Sequence, residues 1–139
     1  MVTIAQARAT LLDAADDGRL DELCDRIGLS VVVLFGSAAR AEWASHPRDL
    51  DIAVLPRDPR SFDRIACHTA FVDLVHIDAV DLLDLSTAGV VAQARALGDG
   101  LPLYEDDAGL YARQQMRAVG MAMEIGWLVE LDLELMAER

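Results

Sequence analysis

The sequence predicts one α/β domain, in which short apolar strands alternate with amphipathic helices. Three observations carry this expectation. The run Val31-Val32-Val33-Leu34-Phe35 is β-branched and uninterrupted, as a strand buried on both faces requires. Apolar residues before it recur at helical intervals. The chain has 139 residues, of which 53% are hydrophobic, enough for a real core and too apolar for disorder.

Taken in order, Thr3-Ile4-Ala5-Gln6 has capping-box spacing, and Ile4, Ala7, Leu11 and Ala15 follow on one helical face that stops at Gly18. Leu20, Leu23, Cys24 and Ile27 make a second short face closed by Gly28. After the strand over residues 31–35, Gly-Ser opens a helix expected over Ser37 to Trp43, and Pro47 makes His46 to Arg48 a loop. Asp49 to Leu55 reads as strand two, stopped by Pro56 and Pro59, with at best a short helix over Ser61 to Cys67. Phe71 to Asp78 is expected as strand three. Ser86 is placed to cap a helix carrying Val90, Val91, Ala94 and Leu97, ended by Gly98. Leu101 to Tyr104 is an extended piece that Pro102 confines to a sheet edge. From Asp106 the tail mixes two periods, but its length and its helix-forming residues favour a helix with one side free for a partner. The division expected is a single domain, 1–139, with N-terminal helices over 1–28, a catalytic core over 29–104 and a C-terminal helix over 105–139.

Charge narrows the functions. The formal net charge is −12, and such a surface repels long nucleic-acid backbones, while suiting a basic protein partner or a small anion carried with metal ions. All twelve basic residues are arginine. The absence of lysine excludes a Walker-type phosphate loop and a lysine Schiff base. Cys24 and Cys67 lack zinc-ligand spacing and read as buried or free thiols. His46, His68 and His76 read as surface or core packing. No apolar stretch reaches the roughly 18 residues of a membrane span, and Arg8, Asp13, Asp16 and Asp17 stand where a signal peptide would be apolar, so a cytoplasmic protein is expected.

The chemistry concentrates in "VVVLFGSAARAEWASHPRDLDIAVLP". A strand that turns through Gly36-Ser37 into a helix lets a ligand approach the backbone and offers it free N–H groups and a hydroxyl, a seat for phosphate; an ordinary strand–turn–helix has the same outline. Asp49 and Asp51, at i and i+2 of a strand, point to one face, where two carboxylates repel unless a proton or a hard cation such as Mg²⁺ intervenes; a solvated strand entrance is the plain alternative. Asp73, inside the apolar run Phe71 to Val75, needs compensation by an arginine, Arg40 or Arg48, or by a shared metal site, which its place on a neighbouring strand favours.

These residues bear a resemblance. "LFGSAAR", "DLDIAVL", "VDLVHID" and "PLYEDD" together resemble the minimal nucleotidyltransferase group of the DNA polymerase beta-like superfamily, over about residues 25–110. The resemblance implies a mixed sheet of about three to five strands flanked by helices, with a C-terminal helix. It implies that Gly36, Ser37 and Arg40 hold the nucleotide, ATP, and that Asp49, Asp51 and Asp73 hold two Mg²⁺ ions and carry catalysis. Three positions depart from the group's pattern: Ala41 stands in place of a glycine, Arg48 in place of a serine, and the spacer between Ser37 and Asp49 has eleven residues, one more than usual. The stretch between Asp51 and Asp73 is also short for the group.

Members of that group resemble antitoxins that work beside a HEPN-domain toxin ribonuclease, adenylylating a toxin tyrosine with ATP. The resemblance therefore implies a hetero-oligomer with such a toxin, away from membranes. Two further readings stand beside it: a binding module that neutralises its partner by contact, for which the acidic surface and apolar tail suffice, and nucleotide transfer to a small molecule.

Overall fold

A computed structural model describes residues 1–39 and 49–137. The N-terminal helices form where their caps place them. α1 (Ile4–Asp17) starts at a complete capping box, with the Gln6 amide donating to Thr3 Oγ1 at 3.1 Å and the Thr3 amide to Gln6 Oε1 at 2.9 Å. α2 (Arg19–Ile27) ends where the Gly28 amide reaches back to the Cys24 carbonyl.

Four strands follow, β1 (Leu29–Phe35), β2 (Leu50–Pro56), β3 (Val80–Asp84) and β4 (Leu101–Glu105), in the spatial order β3-β2-β1-β4. β1 pairs antiparallel with β2 and with β4, while β2 and β3 run parallel, so the sheet is mixed as expected. Pro102 sits on the edge strand β4, beside a register shift, where its missing N–H costs the ladder little. The parallel pair β2–β3 needs a crossover, and α3 (Arg64–Val75) supplies it.

That helix overturns the expected third strand. Phe71 to Val75 is helical, closed by His76 in the left-handed conformation (φ 63°) and started by Asp63, whose carboxylate accepts from the Ala66 amide at 3.0 Å. The residues α3 buries are Cys67, Ala70, Phe71 and Val75, a spacing of three, four and eight that belongs to a helix face. The true third strand lies at Val80–Asp84. Two smaller expectations also change. Ser86 does not cap a helix: it bonds Asp84 Oδ1 at 2.6 Å in the turn after β3, and α4 (Val90–Gly98) begins after Gly89. Where a helix was expected from Ser37, residues Gly36–Ala39 form a 3₁₀ turn, and the remainder lies outside the described residues.

The sheet separates two apolar layers. Val32, Leu34, Ile52, Val54 and Leu82 pack toward α1, α2 and α3, whereas Val31, Val33 and Ala53 pack toward α4 and α5 (Leu110–Ala137). Because side chains alternate along a strand, Asp51 lies on the α4–α5 side, between the inward-facing Leu50 and Ile52. Among the described residues α5 is tied down near its start: Tyr111 Oη donates to the Leu97 carbonyl at 2.6 Å, Gln115 Nε2 donates to it at 3.0 Å, and Ala118 is the buried residue of the helix. Cys24 and Cys67 are free and buried, and burial pushes both thiols up, Cys67 to about 12, so neither is a nucleophile at neutral pH. Among the described residues no helix is long and apolar enough to cross a membrane.

Candidate active site

β1 delivers the chain to Gly36, which turns with φ 72°. Two separate constraints require glycine there. The left-handed φ disfavours a side chain, and a Cβ would lie 2.2 Å from Asp51 Oδ2, inside the carboxylate. The turn Gly36–Ala39 leaves Ser37 exposed and is fastened from behind, since Arg8 Nε on α1 donates to the Ala38 carbonyl at 2.6 Å.

The start of β2 supplies the carboxylates. Asp49 is exposed just ahead of the strand; Asp51 is partly buried and pairs in register with Phe35, the last residue of β1. In the parallel ladder with β3, Asp51 lies directly opposite Asp81. The third carboxylate near the pair is thus Asp81, from the strand that the sequence reading missed. Asp73 is not brought there: it lies on α3, exposed, on the side away from Cys67, Ala70, Phe71 and Val75.

Among the described residues the cluster is electrostatically unfavourable. Burial pushes the Asp51 carboxyl up to about 6, and the Asp81 charge, the Asp49 charge and hydrogen bonding with Asp81 act in the same direction. Two acidic side chains within hydrogen-bonding reach need either a shared proton or a cation. Among the described residues no arginine pairs with Asp49, Asp51 or Asp81, and no group of three or more His, Cys, Asp or Glu side chains is placed to hold a metal ion. The donor set is oxygen only, which suits a hard ion that keeps waters and also takes phosphate oxygens.

β3 is an edge strand, and α3 holds its outer side. His68 Nε2 lies 2.9 Å from the Val80 carbonyl, and Arg64 Nη2 donates to the Leu82 carbonyl. These bonds bracket Asp81, so His68 helps to hold the strand that carries it, a contact the sequence pattern did not suggest. On the inner side the Leu50 amide donates to the Ala79 carbonyl at 2.9 Å. Arg40, Ala41 and Arg48 fall outside the described residues.

Residues 20–109 match the Polymerase beta nucleotidyltransferase family, a span that holds the Gly-Ser turn and all three carboxylates. The chain belongs to that family. The fold is shared with solved toxin–antitoxin structures. One is a toxin–antitoxin with AMP-PNP, at 22% identity and TM-score 0.66, covering 84% of this chain and 94% of the other. Another is the tri-AMPylated Shewanella oneidensis HEPN toxin in complex with MNT antitoxin, at 22% identity and TM-score 0.63, covering 88% and 96%. A third is the toxin–antitoxin MntA-HepT, at 21% identity and TM-score 0.61, covering 84% and 92%. No match was found among proteins with curated descriptions.

The signal for Asp81 was present. The short interval between Asp51 and Asp73 marked the wrong aspartate, because a parallel crossover needs room for a whole helix. "VDLLD" at residues 80–84 alternates as a half-buried strand should, with Val80 and Leu82 buried and Asp81 exposed between them.

Proposed function

We propose that this protein is an ATP- and Mg²⁺-dependent nucleotidyltransferase that adenylylates a tyrosine of a partner HEPN-domain toxin, acting as its antitoxin in the cytoplasm. The observation that carries this reading is the pairing of Asp51 with Asp81, with the Asp49 charge also acting on Asp51, beside the Gly36 turn. Support for the acceptor comes from the relatives, one of which holds an AMPylated HEPN toxin and another AMP-PNP.

In this scheme Asp49 and Asp51 hold both metal ions and Asp81 completes the set, in place of Asp73. Bound Mg²⁺ would lower the pKa of the attacking hydroxyl and neutralise the leaving pyrophosphate. Ser37 and the backbone N–H groups after Gly36 hold the triphosphate, and Arg40 is carried over as a phosphate contact. Asp81, exposed at the mouth, accepts the proton from the acceptor hydroxyl as its oxygen bonds to the α-phosphorus of ATP and pyrophosphate departs. The Arg8 bond to Ala38 keeps the turn from drifting off the carboxylates.

The test is incubation of the purified chain with α-labelled ATP, Mg²⁺ and a HEPN-domain protein encoded beside it. Label on a tyrosine of that protein, lost in chelator and with Asp51→Asn, is expected. Toxin neutralised equally by the wild type and by Asp51→Asn, with no label transferred, would refute transfer and leave neutralisation by contact.

A further inference from the structure

Asp81 stands on an edge strand, directly opposite Asp51. Like charges opposite one another on neighbouring strands repel, and among the described residues no strand lies beyond β3 to resist the push. Something else has to hold β3 in place.

The backbone bonds of β3 show what does. The Leu50 amide donates to the Ala79 carbonyl, and the Leu85 amide donates to the Val54 carbonyl. Backbone groups alternate in direction along a strand, so Ala79, Asp81, Leu83 and Leu85 turn theirs toward β2. The carbonyls of Val80, Leu82 and Asp84 therefore point to the open edge, where such groups ordinarily go unpaired. Here all three are taken. The Thr87 and Ala88 amides donate to the Asp84 carbonyl at 3.2 and 3.0 Å, within a backbone turn. The two carbonyls that flank Asp81 are taken instead by side chains of α3. His68 Nε2 lies 2.9 Å from the Val80 carbonyl, and Arg64 Nη2 donates to the Leu82 carbonyl. A carbonyl only accepts, so the His68 proton is on Nε2.

The two elements match in pitch. Four residues of helix advance about 6 Å, and two residues of strand advance about 6.6 Å. Arg64 and His68, one turn apart, thus meet carbonyls two residues apart. The peptide unit between Val80 and Asp81 is caught on both sides, its carbonyl by His68 and its N–H facing β2.

We propose that His68 and Arg64 are positioning residues, which fix β3 so that the Asp81 carboxylate stays beside that of Asp51 despite their repulsion. This rests on the nucleotidyltransferase reading above, in which the two carboxylates take a divalent cation together with phosphate oxygens. One or two carboxylates are the usual protein share of such a site. Both side chains act through the backbone of β3.

The test compares His68→Leu, which keeps apolar bulk and loses the donor, with His68→Gln, which keeps an N–H at similar reach. Two quantities are read: affinity of the full chain for Mn²⁺ alone, by electron paramagnetic resonance, and nucleotide transfer to the HEPN-domain protein encoded beside it. His68→Leu is expected to weaken Mn²⁺ binding and to lower kcat by roughly tenfold each. KM for ATP should stay within about twofold, since the Gly36-Ser37 turn is untouched. His68→Gln should recover most of both losses, and Arg64→Met should weaken Mn²⁺ binding by roughly three- to tenfold. Val72→Ala, which trims the apolar layer one turn further along α3, should lower Tm at least as far as His68→Leu and change neither reading. Wild-type Mn²⁺ affinity and kcat in His68→Leu would overturn the proposal and leave the transferase reading standing. Losses that follow Tm alone, shared by His68→Gln and Val72→Ala, would overturn it too, as would a wild type that binds no Mn²⁺. A wild type that binds Mn²⁺ yet transfers no nucleotide would refute the transferase reading alone, and the Mn²⁺ affinities of the variants would still decide the positioning role.

Discussion

At its C-terminal end β2 runs into Arg57, whose guanidinium reaches Asp25 at 2.9 Å, Asp106 at 3.0 Å and the Tyr104 hydroxyl at 3.0 Å. At its N-terminal end the same strand carries Asp49 and Asp51 opposite Asp81, and among the described residues no arginine pairs with any of them. Both ends collect carboxylates from separate elements. One end is bridged by the chain's own cation and closes a structural knot. The other has no compensating cation among the described residues and lies beside the Gly36 turn and the exposed Ser37, and there burial and repulsion push the Asp51 carboxyl up. The contrast sets a site finished by folding against one that the proposed metal and nucleotide would finish.

Breaking the unfinished end should have the largest effect. Asp51→Asn is expected to reduce nucleotide transfer by roughly a hundredfold or more, since a metal ligand should matter at least as much as the groups that orient one. Its effect on stability should have the opposite sign. A carboxyl whose folded pKa is raised from 3.8 to about 6 favours the folded state at low pH and loses that contribution as pH rises through about 6. Metal-free Asp51→Asn should therefore melt higher than the wild type at pH 7, with the difference shrinking toward pH 4; calorimetric scans with chelator across that range check it. Mg²⁺ should raise the wild-type Tm and leave the variant nearly unchanged.

Next comes Gly36→Ala. A positive φ costs a non-glycine residue roughly 1–2 kcal/mol, and the added carbon would meet Asp51 Oδ2 at 2.2 Å. Displacing the carboxylate should reduce transfer by roughly tenfold to a hundredfold and lower the Tm, measured by turnover and melting of the same preparation. Ser37→Ala removes one of several phosphate contacts and should cost transfer about two- to tenfold, through the 0.5–1.5 kcal/mol of one hydrogen bond. The smallest effect on chemistry belongs to the other end of β2. Arg57→Ala should destabilise the fold by about 1 kcal/mol or less, because its ion pairs are largely exposed, and should leave kcat/KM and the Mg²⁺ dependence of Tm unchanged. An activity loss there matching that of Asp51→Asn would erase the distinction between the two ends.

The sequence made some of this visible and hid the rest for identifiable reasons. Caps are local, so α1 and α2 were legible from Thr3-Gln6, Gly18 and Gly28. The buried strand β1 announced itself through its β-branched run, and the turn after it through Gly36; the close approach of Gly36 to Asp51 left no local pattern. The failure was at α3. Phe71 to Val75 is rich in β-formers and reads as a strand over five residues; only across twelve, from Arg64 to Val75, does the helical spacing of its buried side chains emerge. Tertiary contact with the sheet decides such a segment, not local propensity. The error carried the third aspartate with it, from Asp81 to Asp73. The roles of Arg8, Arg64 and His68 were beyond reach for another reason, since each bonds a backbone carbonyl far away in sequence and leaves no local pattern.

The assignment of Asp81 as the third carboxylate is therefore the claim to strike at. Nucleotide transfer should be measured on folded Asp81→Asn and Asp73→Asn under the same ATP and Mg²⁺. Asp81→Asn should be nearly inactive, because it removes the group opposite Asp51 on the parallel strand, while Asp73→Asn should keep close to wild-type turnover from its exposed place on α3. An inactive Asp73→Asn beside an active Asp81→Asn would contradict the account and return the site to the other aspartate.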